Sequence, residues 1–292
     1  MKALLLPAAE QFGRLALVRR GILSRRIGTR YGRIHAYDAP GSGSLPPTVL
    51  LHGLGSTATF FGPLLEYLRR DVFRIVAPEY PGHGFSESGV ERVTPEVLFG
   101  SVEATLDALV HEPAMLVGHS LGGAVALHLA IAHPERVSAL VLVSPAAARG
   151  SDEEWGSIKR AFDVGTRAEG SAFLERVHHR PPWFLPLLAH EIPPTLRRRA
   201  VRDLLESASN RDLPNPDALG SLAMPILLLW GRSERLLPTT HLDYFAQHLP
   251  NHAVIERPEG FGHCPHLDSP GALAKRIVAF ARASGIARVH AA

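Results

Sequence analysis

The segment Gly118-His119-Ser120-Leu121-Gly122 places a serine between two glycines. The apolar run 114–117 before it has the pattern of a buried strand, and the run 124–130 after it has the composition of a helix. A strand, a sharp turn and a helix force the residue at the tip into strained backbone geometry, and the glycines let strand and helix approach closely. The segment therefore predicts that Ser120 is an exposed nucleophile.

A serine hydroxyl is a weak nucleophile at neutral pH and needs a histidine base that is oriented by an acid. His263 is the predicted base, because it lies in a glycine-containing loop that follows a short strand pattern at 254–256. Glu234 is the predicted acid, since it lies in the loop after the buried-strand pattern that ends at Trp230. The chain order of the three is then nucleophile, acid, base.

Acyl transfer also requires donors for the oxyanion that develops on the substrate. The residue after the nucleophile, Leu121, supplies one backbone N–H. A strand pattern at 47–51 runs into the glycine-rich turn 52–56, and Leu54 in that turn supplies a second N–H. We expect the two amides to point at one place.

Segment 180–186 resembles the cap of monoacylglycerol-lipase-like members, and four other segments together resemble the α/β-hydrolase-fold serine hydrolases, esterases among them. These are His52-Gly53-Leu54-Gly55, Pro78-Glu79-Tyr80-Pro81-Gly82-His83-Gly84-Phe85-Ser86, the turn at Ser120, and Trp230-Gly231-Arg232-Ser233-Glu234 followed by Gly262-His263. The chain departs from the family pattern at Glu234 and Glu79, where aspartate is usual. The resemblance implies an α/β fold with a mostly parallel eight-stranded sheet, flanking helices and an inserted helical cap, and it implies no cofactor.

Other carboxylates are weaker candidates for the acid. Some relatives place it after the strand that follows the nucleophile helix, but here that strand runs into 144–147, which contains no carboxylate. Asp243 and Asp268 are predicted to be surface charges or a helix cap. A solvated loop charge is the alternative for Glu234 itself.

The alternation of strands and helices defines the predicted domains. Strands pair over 25–38, and a hydrolase core extends over 25–145 and 216–292. Between them, 146–215 lacks the alternation and is predicted to be a helical cap over the active site.

The cap contains Trp183, Phe184 and Leu185 directly after two prolines. We interpret this segment as a rigid turn whose large side chains point into the active site and bind substrate. Apolar residues of a cap contact either the substrate or each other. Packing of the cap helices against one another is the alternative.

Residues 1–24 combine apolar side chains with Arg14, Arg19 and Arg20, which predicts an amphipathic basic extension. No apolar run approaches the roughly 20 residues of a spanning helix, and the segment does not have the pattern of a secretion signal. Peripheral contact with a membrane, packing against the cap and packing against a second subunit stay open. We expect a cytoplasmic protein, with membrane association as one of these alternatives.

Composition excludes other classes of function. The net charge of +3 is small for 292 residues, and no basic and aromatic module predicts a nucleic-acid partner. His178, His179 and His266 have no carboxylate or cysteine partner at the spacing of a zinc site, and the single cysteine, Cys264, is predicted to be a packing residue. We therefore expect no catalytic metal. The oligomeric state is not determined by the sequence.

The sequence thus predicts a hydrolase that cleaves carboxylic esters of medium or long apolar acyl chains, with a small ester or lipid as its substrate. A carbon-carbon bond hydrolase of ring-cleavage diketones resembles this chain in the same three residues. A ligand-binding receptor of the same fold, with slow turnover, is the alternative from a different class.

Overall fold

The computed structural model describes residues 3–286 and contains one eight-stranded sheet. The strands are β1 (Leu23–Thr29), β2 (Gly32–Pro40), β3 (Thr48–Leu51), β4 (Arg74–Pro78), β5 (Ala114–His119), β6 (Val137–Val143), β7 (Ile226–Leu229) and β8 (Val254–Glu256). Their order in the sheet is β1-β2-β4-β3-β5-β6-β7-β8. Only the pairs β1·β2 and β2·β4 are antiparallel.

Twelve α-helices accompany the sheet in the described part of the chain. They are α1 (Leu5–Arg19), α2 (Gly62–Leu68), α3 (Pro95–Leu109), α4 (Leu121–Ala132), α5 (Asp152–Phe162), α6 (Arg167–Val177), α7 (Ile192–Leu196), α8 (Arg199–Ser207), α9 (Pro216–Gly220), α10 (Thr239–His248), α11 (Pro265–Asp268) and α12 (Pro270–Ala283). Short 3-10 helices span Ala58–Phe61, Pro134–Arg136, Leu185–Glu191 and Asn210–Asp212. The predicted fold class is confirmed.

The central strands are continuous apolar runs because both faces of the sheet are covered. Leu116 of β5 packs in one hydrophobic cluster, whereas its neighbours Met115 and Val117 pack in the cluster on the other face. In register, Gly118 pairs with Leu51 on one side and with Leu142 on the other. The carboxyl ends of these parallel strands therefore lie at one edge, where their loops meet.

The helices α5 to α8 lie between β6 and β7 in the chain, within the predicted limits 146–215 of the cap. Ser151 and Thr166 each form a capping box that satisfies the first amides of α5 and α6. A separate hydrophobic cluster holds the cap together and includes Leu174, Ile192 and, from the core, Leu236. The domain limits themselves stay a prediction.

The N-terminal helix α1 packs against the cap. The carboxylate of Glu191 accepts hydrogen bonds from the backbone N–H groups of Leu4, Leu5 and Leu6, at 2.8–3.2 Å, and so stabilises the positive end of the helix. Leu17 is buried against the core, whereas Phe12 is 72% exposed. No helix of residues 3–286 has the length and apolar character needed to cross a bilayer.

Candidate active site

The turn between β5 and α4 holds Ser120 in a strained conformation, with φ 53° and ψ −118°. Gly118 and Gly122 are required because strand β5, strand β3 and helix α4 approach one another closely at this turn. A Cβ atom on Gly118 would lie 2.3 Å from the carbonyl oxygen of Gly122, and one on Gly122 would lie 2.0 Å from that of Leu51. The strained geometry expected for this turn is thus confirmed, but Ser120 is only 5% exposed and faces a cavity rather than the outer surface.

Glu234 and His263 form a buried pair at the carboxyl edge of the sheet. Nδ1–H of His263 donates to Oε2 of Glu234 at 2.8 Å, and the two side chains are 3% and 2% exposed. Oε1 of Glu234 accepts from the amides of Leu236 and Leu237, at 2.8 and 3.1 Å. Burial alone would raise the pKa of Glu234, but the charge and hydrogen bond of His263 hold this pKa at about 2. The carboxylate is therefore ionised at neutral pH.

Ser120 and His263 face the same cavity. Within residues 3–286, no hydrogen bond joins the Ser120 hydroxyl to His263. Such bonds are often long without substrate and tighten when it binds. The loop that carries His263 is held in place by His119, whose Nε2–H donates to the carbonyl oxygen of His263 at 2.8 Å.

Leu54 lines the same cavity as Ser120, and Leu121 directly follows Ser120 in the chain. Leu121 is the first residue of α4, where backbone N–H groups have no partner within the helix. Leu54 follows Gly53 in the turn after β3, and a Cβ on Gly53 would lie 3.3 Å from Cβ of Ser120. Both amides therefore belong to the surroundings of Ser120, and their role as oxyanion donors stays a prediction.

A cavity of ≈ 460 Å³ opens above Ser120. Its wall is mostly apolar and comes from three parts of the chain: the core (Leu54, Phe60), the cap (Phe173, Leu174, Phe184, Leu185, Leu196) and α1 (Leu6, Ala9). A cavity of this size and character is typical of sites for small apolar ligands.

The predicted turn of the cap is only partly correct. Phe184 and Leu185 line the cavity, but Trp183 lies outside its wall and is 86% exposed. The inward orientation predicted for Trp183 is therefore wrong. Adjacent side chains leave the backbone in different directions, and of the two aromatic residues only Phe184, which directly precedes the 3-10 helix at Leu185, reaches the cavity wall. Trp183 packs edge-to-face on Phe184.

A family model described as the α/β hydrolase fold matches residues 46–270. The chain belongs to this family. A pimeloyl-[acyl-carrier protein] methyl ester esterase of Vibrio parahaemolyticus is 31% identical over 233 residues, which cover 72% of this chain and 84% of that protein.

Two crystal structures are similar in fold to this hydrolase. The carboxylesterase CesB of Bacillus subtilis has a TM-score of 0.76 at 22% identity and covers 94% of this chain and 97% of its own. A membrane phospholipase A, described as a bacterial virulence factor, has a TM-score of 0.81 at 23% identity and covers 97% and 93%. The hydrolase is thus esterase-like in family and fold.

Asp268 of the hydrolase is not the surface charge or helix cap that its sequence position suggested. Its side chain is 6% exposed and accepts hydrogen bonds from Nδ1–H of His178 and from the amide of His179, at 2.5 and 2.7 Å. These bonds tie the end of cap helix α6 to the segment after His263. The prediction for Asp268 is therefore wrong. The sequence did not indicate the buried pair because His178 is distant from Asp268 in the chain.

The α1 side of the cavity was also not predicted. Leu6, Ala9 and Glu10 line it, and Glu10 is buried, which raises the pKa of its carboxyl group. The only sequence signal was the amphipathic pattern of residues 1–24, which does not say what the helix packs against.

The hydrolase buries several histidines beside the site, and His83 shows their effect on stability. Burial lowers the pKa of His83 to about 4, and its Nδ1–H donates to the carbonyl oxygen of Pro81. Since the unfolded chain has the ordinary histidine pKa near 6.5, it binds more protons than the folded chain between about pH 6.5 and 4. Acid in this range therefore destabilises the fold.

We expect the variant His83→Gln to be less sensitive to acid than the wild type. Glutamine can keep the hydrogen bond to Pro81 without a proton-binding group. As the pH falls from 6.5 to 4, the free energy of unfolding of the wild type should decrease by up to about 3 kcal/mol more than that of the variant. Denaturant titration at several pH values measures this, with the surface variant His128→Gln as control. Parallel curves for wild type and His83→Gln would contradict the prediction.

Proposed function

We propose that this hydrolase cleaves carboxylic esters through an acyl-enzyme on Ser120. The observation that carries the proposal is the position of Ser120, held at positive φ on the turn and open to an apolar cavity next to the buried pair His263–Glu234. A strained serine beside an oriented histidine is the arrangement of serine hydrolases on several folds.

The mechanism has two steps. His263 takes the proton of the Ser120 hydroxyl as its oxygen attacks the ester carbonyl, and the amides of Leu54 and Leu121 stabilise the oxyanion. The bond to the alcohol breaks, and His263 gives the alcohol its proton. Water that loses a proton to His263 then hydrolyses the acyl-enzyme. Glu234, ionised because its pKa is about 2, keeps Nδ1 of His263 protonated and stabilises the imidazolium.

The cavity supports the preference for medium or long apolar acyl chains. Phe184 and Leu185 of the cap line it together with Leu6 and Ala9 of α1, and an acyl chain would be buried among them. Trp183 is exposed and has no part in this proposal. The Vibrio relative acts, by its name, on the methyl ester of a pimeloyl group that is attached to acyl-carrier protein.

The test is the hydrolysis of chromogenic esters from acetate to long acyl chains, together with dimethyl pimelate. We expect kcat/KM to rise from acetate to a maximum at medium or long chains. Equal kcat/KM values for all chain lengths would contradict the acyl-chain preference but would still support esterase activity. Turnover confined to carboxylated diketones would favour a carbon-carbon bond hydrolase, and a burst of acylation without steady turnover would favour a ligand-binding receptor.

We expect Ala9→Trp to shorten the preferred acyl chain. Ala9 lies on the cavity wall, so the added indole would fill space that a long chain occupies, whereas a short chain would still fit. The ratio of kcat/KM for long over short esters should fall about tenfold or more. Ala8 and Ala9 are both exposed, but Ala8 does not line the cavity, so Ala8→Trp is the matched control. If the ratio of kcat/KM for long over short esters is the same in both variants, α1 does not contribute to the acyl-binding site.

Peripheral membrane contact through residues 1–24 stays a prediction. Leu4, Leu5, Phe12 and Leu15 are exposed on or next to α1, and α1 contacts the 3-10 helix Leu185–Glu191 of the cap. An apolar rim of this kind suits a substrate that enters from a lipid surface. Cytoplasmic location likewise stays a prediction.

A further inference from the structure

Three side chains next to the proposed catalytic residues have no part in the mechanism but lie together. His119 precedes the nucleophile, and Cys264 and His266 follow the base. One ligand atom from each, two imidazole nitrogens and the thiol sulfur, all lie within 4.8 Å of one another. All three residues contribute to the wall of the cavity.

The two histidines carry nitrogens without partners. Nδ1 of His119 and Nδ1 of His266 are buried and make no hydrogen bond within the described chain, 3–286, and the residues are 4% and 2% exposed. Buried polar atoms without a partner are rare in folded proteins and call for an explanation. Nε2–H of His119 donates to the backbone carbonyl of His263, which leaves Nδ1 as a free lone pair. Histidines that ligate metals are oriented in this way.

We propose that His119, Cys264 and His266 bind Zn²⁺, and that the bound ion inhibits the hydrolase. Two imidazoles and one thiolate form a donor set that zinc prefers. Ligand atoms at zinc distances of 2.0–2.3 Å in tetrahedral geometry are separated by about 3.5 Å, so the cluster would have to contract by only about 1 Å. The fourth position would face the cavity.

Inhibition follows from the position of the ion. The rings of His119 and His263 have their centroids 4.9 Å apart. An ion held by these side chains would occupy the part of the cavity next to His263 and Ser120, and so would leave less room for the ester between the base and the nucleophile. Binding also requires the Cys264 thiol to release its proton to solvent as the sulfur bonds to the ion.

The first experiment measures binding without turnover. The metal-free full chain carrying Ser120→Ala is titrated with Co²⁺, which takes tetrahedral zinc sites and gives a thiolate-to-cobalt charge-transfer band. Cys264 is the only cysteine, so the band reports this site alone. We expect one Co²⁺ per chain, displacement by Zn²⁺, and loss of the band in the variant that adds Cys264→Ala, or Cys264→Ser if alanine impairs folding.

Each histidine ligand is tested in the same way. His266→Asn and His119→Asn should each weaken Co²⁺ binding at least tenfold. His128, whose Nε2 lies 3.3 Å from Oε1 of Glu103, is away from the cluster. His128→Ala should therefore leave the charge-transfer band and the affinity for Co²⁺ unchanged. Absence of a thiolate band at millimolar Co²⁺, or a band that both asparagine variants retain at full affinity, would overturn the site.

The second experiment measures inhibition of ester hydrolysis by Zn²⁺. The half-inhibitory concentration should rise at least tenfold in Cys264→Ala relative to the wild type. Equal inhibition of both would overturn the inhibitory role. Because the cobalt band is read in a chain that lacks the nucleophile, failure of the proposed esterase activity would leave the result on the metal site intact.

Discussion

Replacing Ser120 with alanine should lower ester hydrolysis by about 10⁴-fold or more, because the variant has no oxygen to form the acyl-enzyme. The backbone should not change. Alanine fits the strained turn as poorly as serine does, and the amide of residue 120 can still donate to the carbonyl of Val143 at 3.0 Å. The cavity and the pair His263–Glu234 should stay in place. The variant should therefore bind substrate with little change in affinity.

The measurement is single-turnover and steady-state hydrolysis of the best ester of the series, with circular dichroism to check the fold. Ser138→Ala is the matched control, since Ser138 lies on β6 at a distance from the cavity and its buried hydroxyl has no hydrogen-bond partner in the described residues. It should retain wild-type kcat. Turnover of Ser120→Ala within tenfold of the wild type would exclude the acyl-enzyme on Ser120 and with it the proposed function.

The sequence identified features whose cause is local. The glycines around Ser120 are set by contacts a few residues away, and the central strands are apolar because both their faces are covered. The pairing of Glu234 with His263 joins residues of two loops, but both loops follow recognisable strands, and parallel strands bring their carboxyl ends together. Fold class and the proximity of this pair could therefore be predicted.

Features that depend on the packing of the cap could not be predicted. Trp183 and Phe184 are adjacent aromatic residues after the same prolines, yet one faces solvent and the other the cavity. The sequence predicts Asp268 to be a surface charge or a helix cap, whereas its side chain pairs with His178 of the cap domain, 90 residues away in the chain.

The metal-ligand cluster illustrates the same limit. Zinc sites are recognised in a sequence by short spacings, but the imidazole beside Cys264 and His266 in the chain, that of His263, is the predicted catalytic base. The third ligand, His119, comes from the turn after β5 and is brought in by the sheet. Only the folded chain places the three together.

The second large effect is expected for Glu234→Gln, which should lower kcat by about 10³- to 10⁴-fold. Glutamine keeps the size of the side chain but removes the charge that stabilises the imidazolium of His263, and its amide can hold the ring in the wrong tautomer. The pKa of Glu234 is about 2 in the folded chain, below its value of 4.5 in the unfolded one. Its ionised form therefore stabilises the fold above about pH 4.5, and this contribution disappears as the pH falls toward 2.

Two further variants separate the role of Glu234 in catalysis from its role in stability. Glu234→Asp retains the charge but withdraws the carboxylate by about 1.5 Å, so its kcat should lie between those of the wild type and Glu234→Gln. Glu256→Gln loses a carboxylate that pairs with Arg276 at the edge of the sheet, and it should keep its kcat. At pH 7 Glu234→Gln should unfold with a free energy lower by about 3 kcal/mol, a difference that should vanish near pH 2. A kcat of Glu234→Gln within tenfold of the wild type would assign the orienting acid to another residue, whatever its stability.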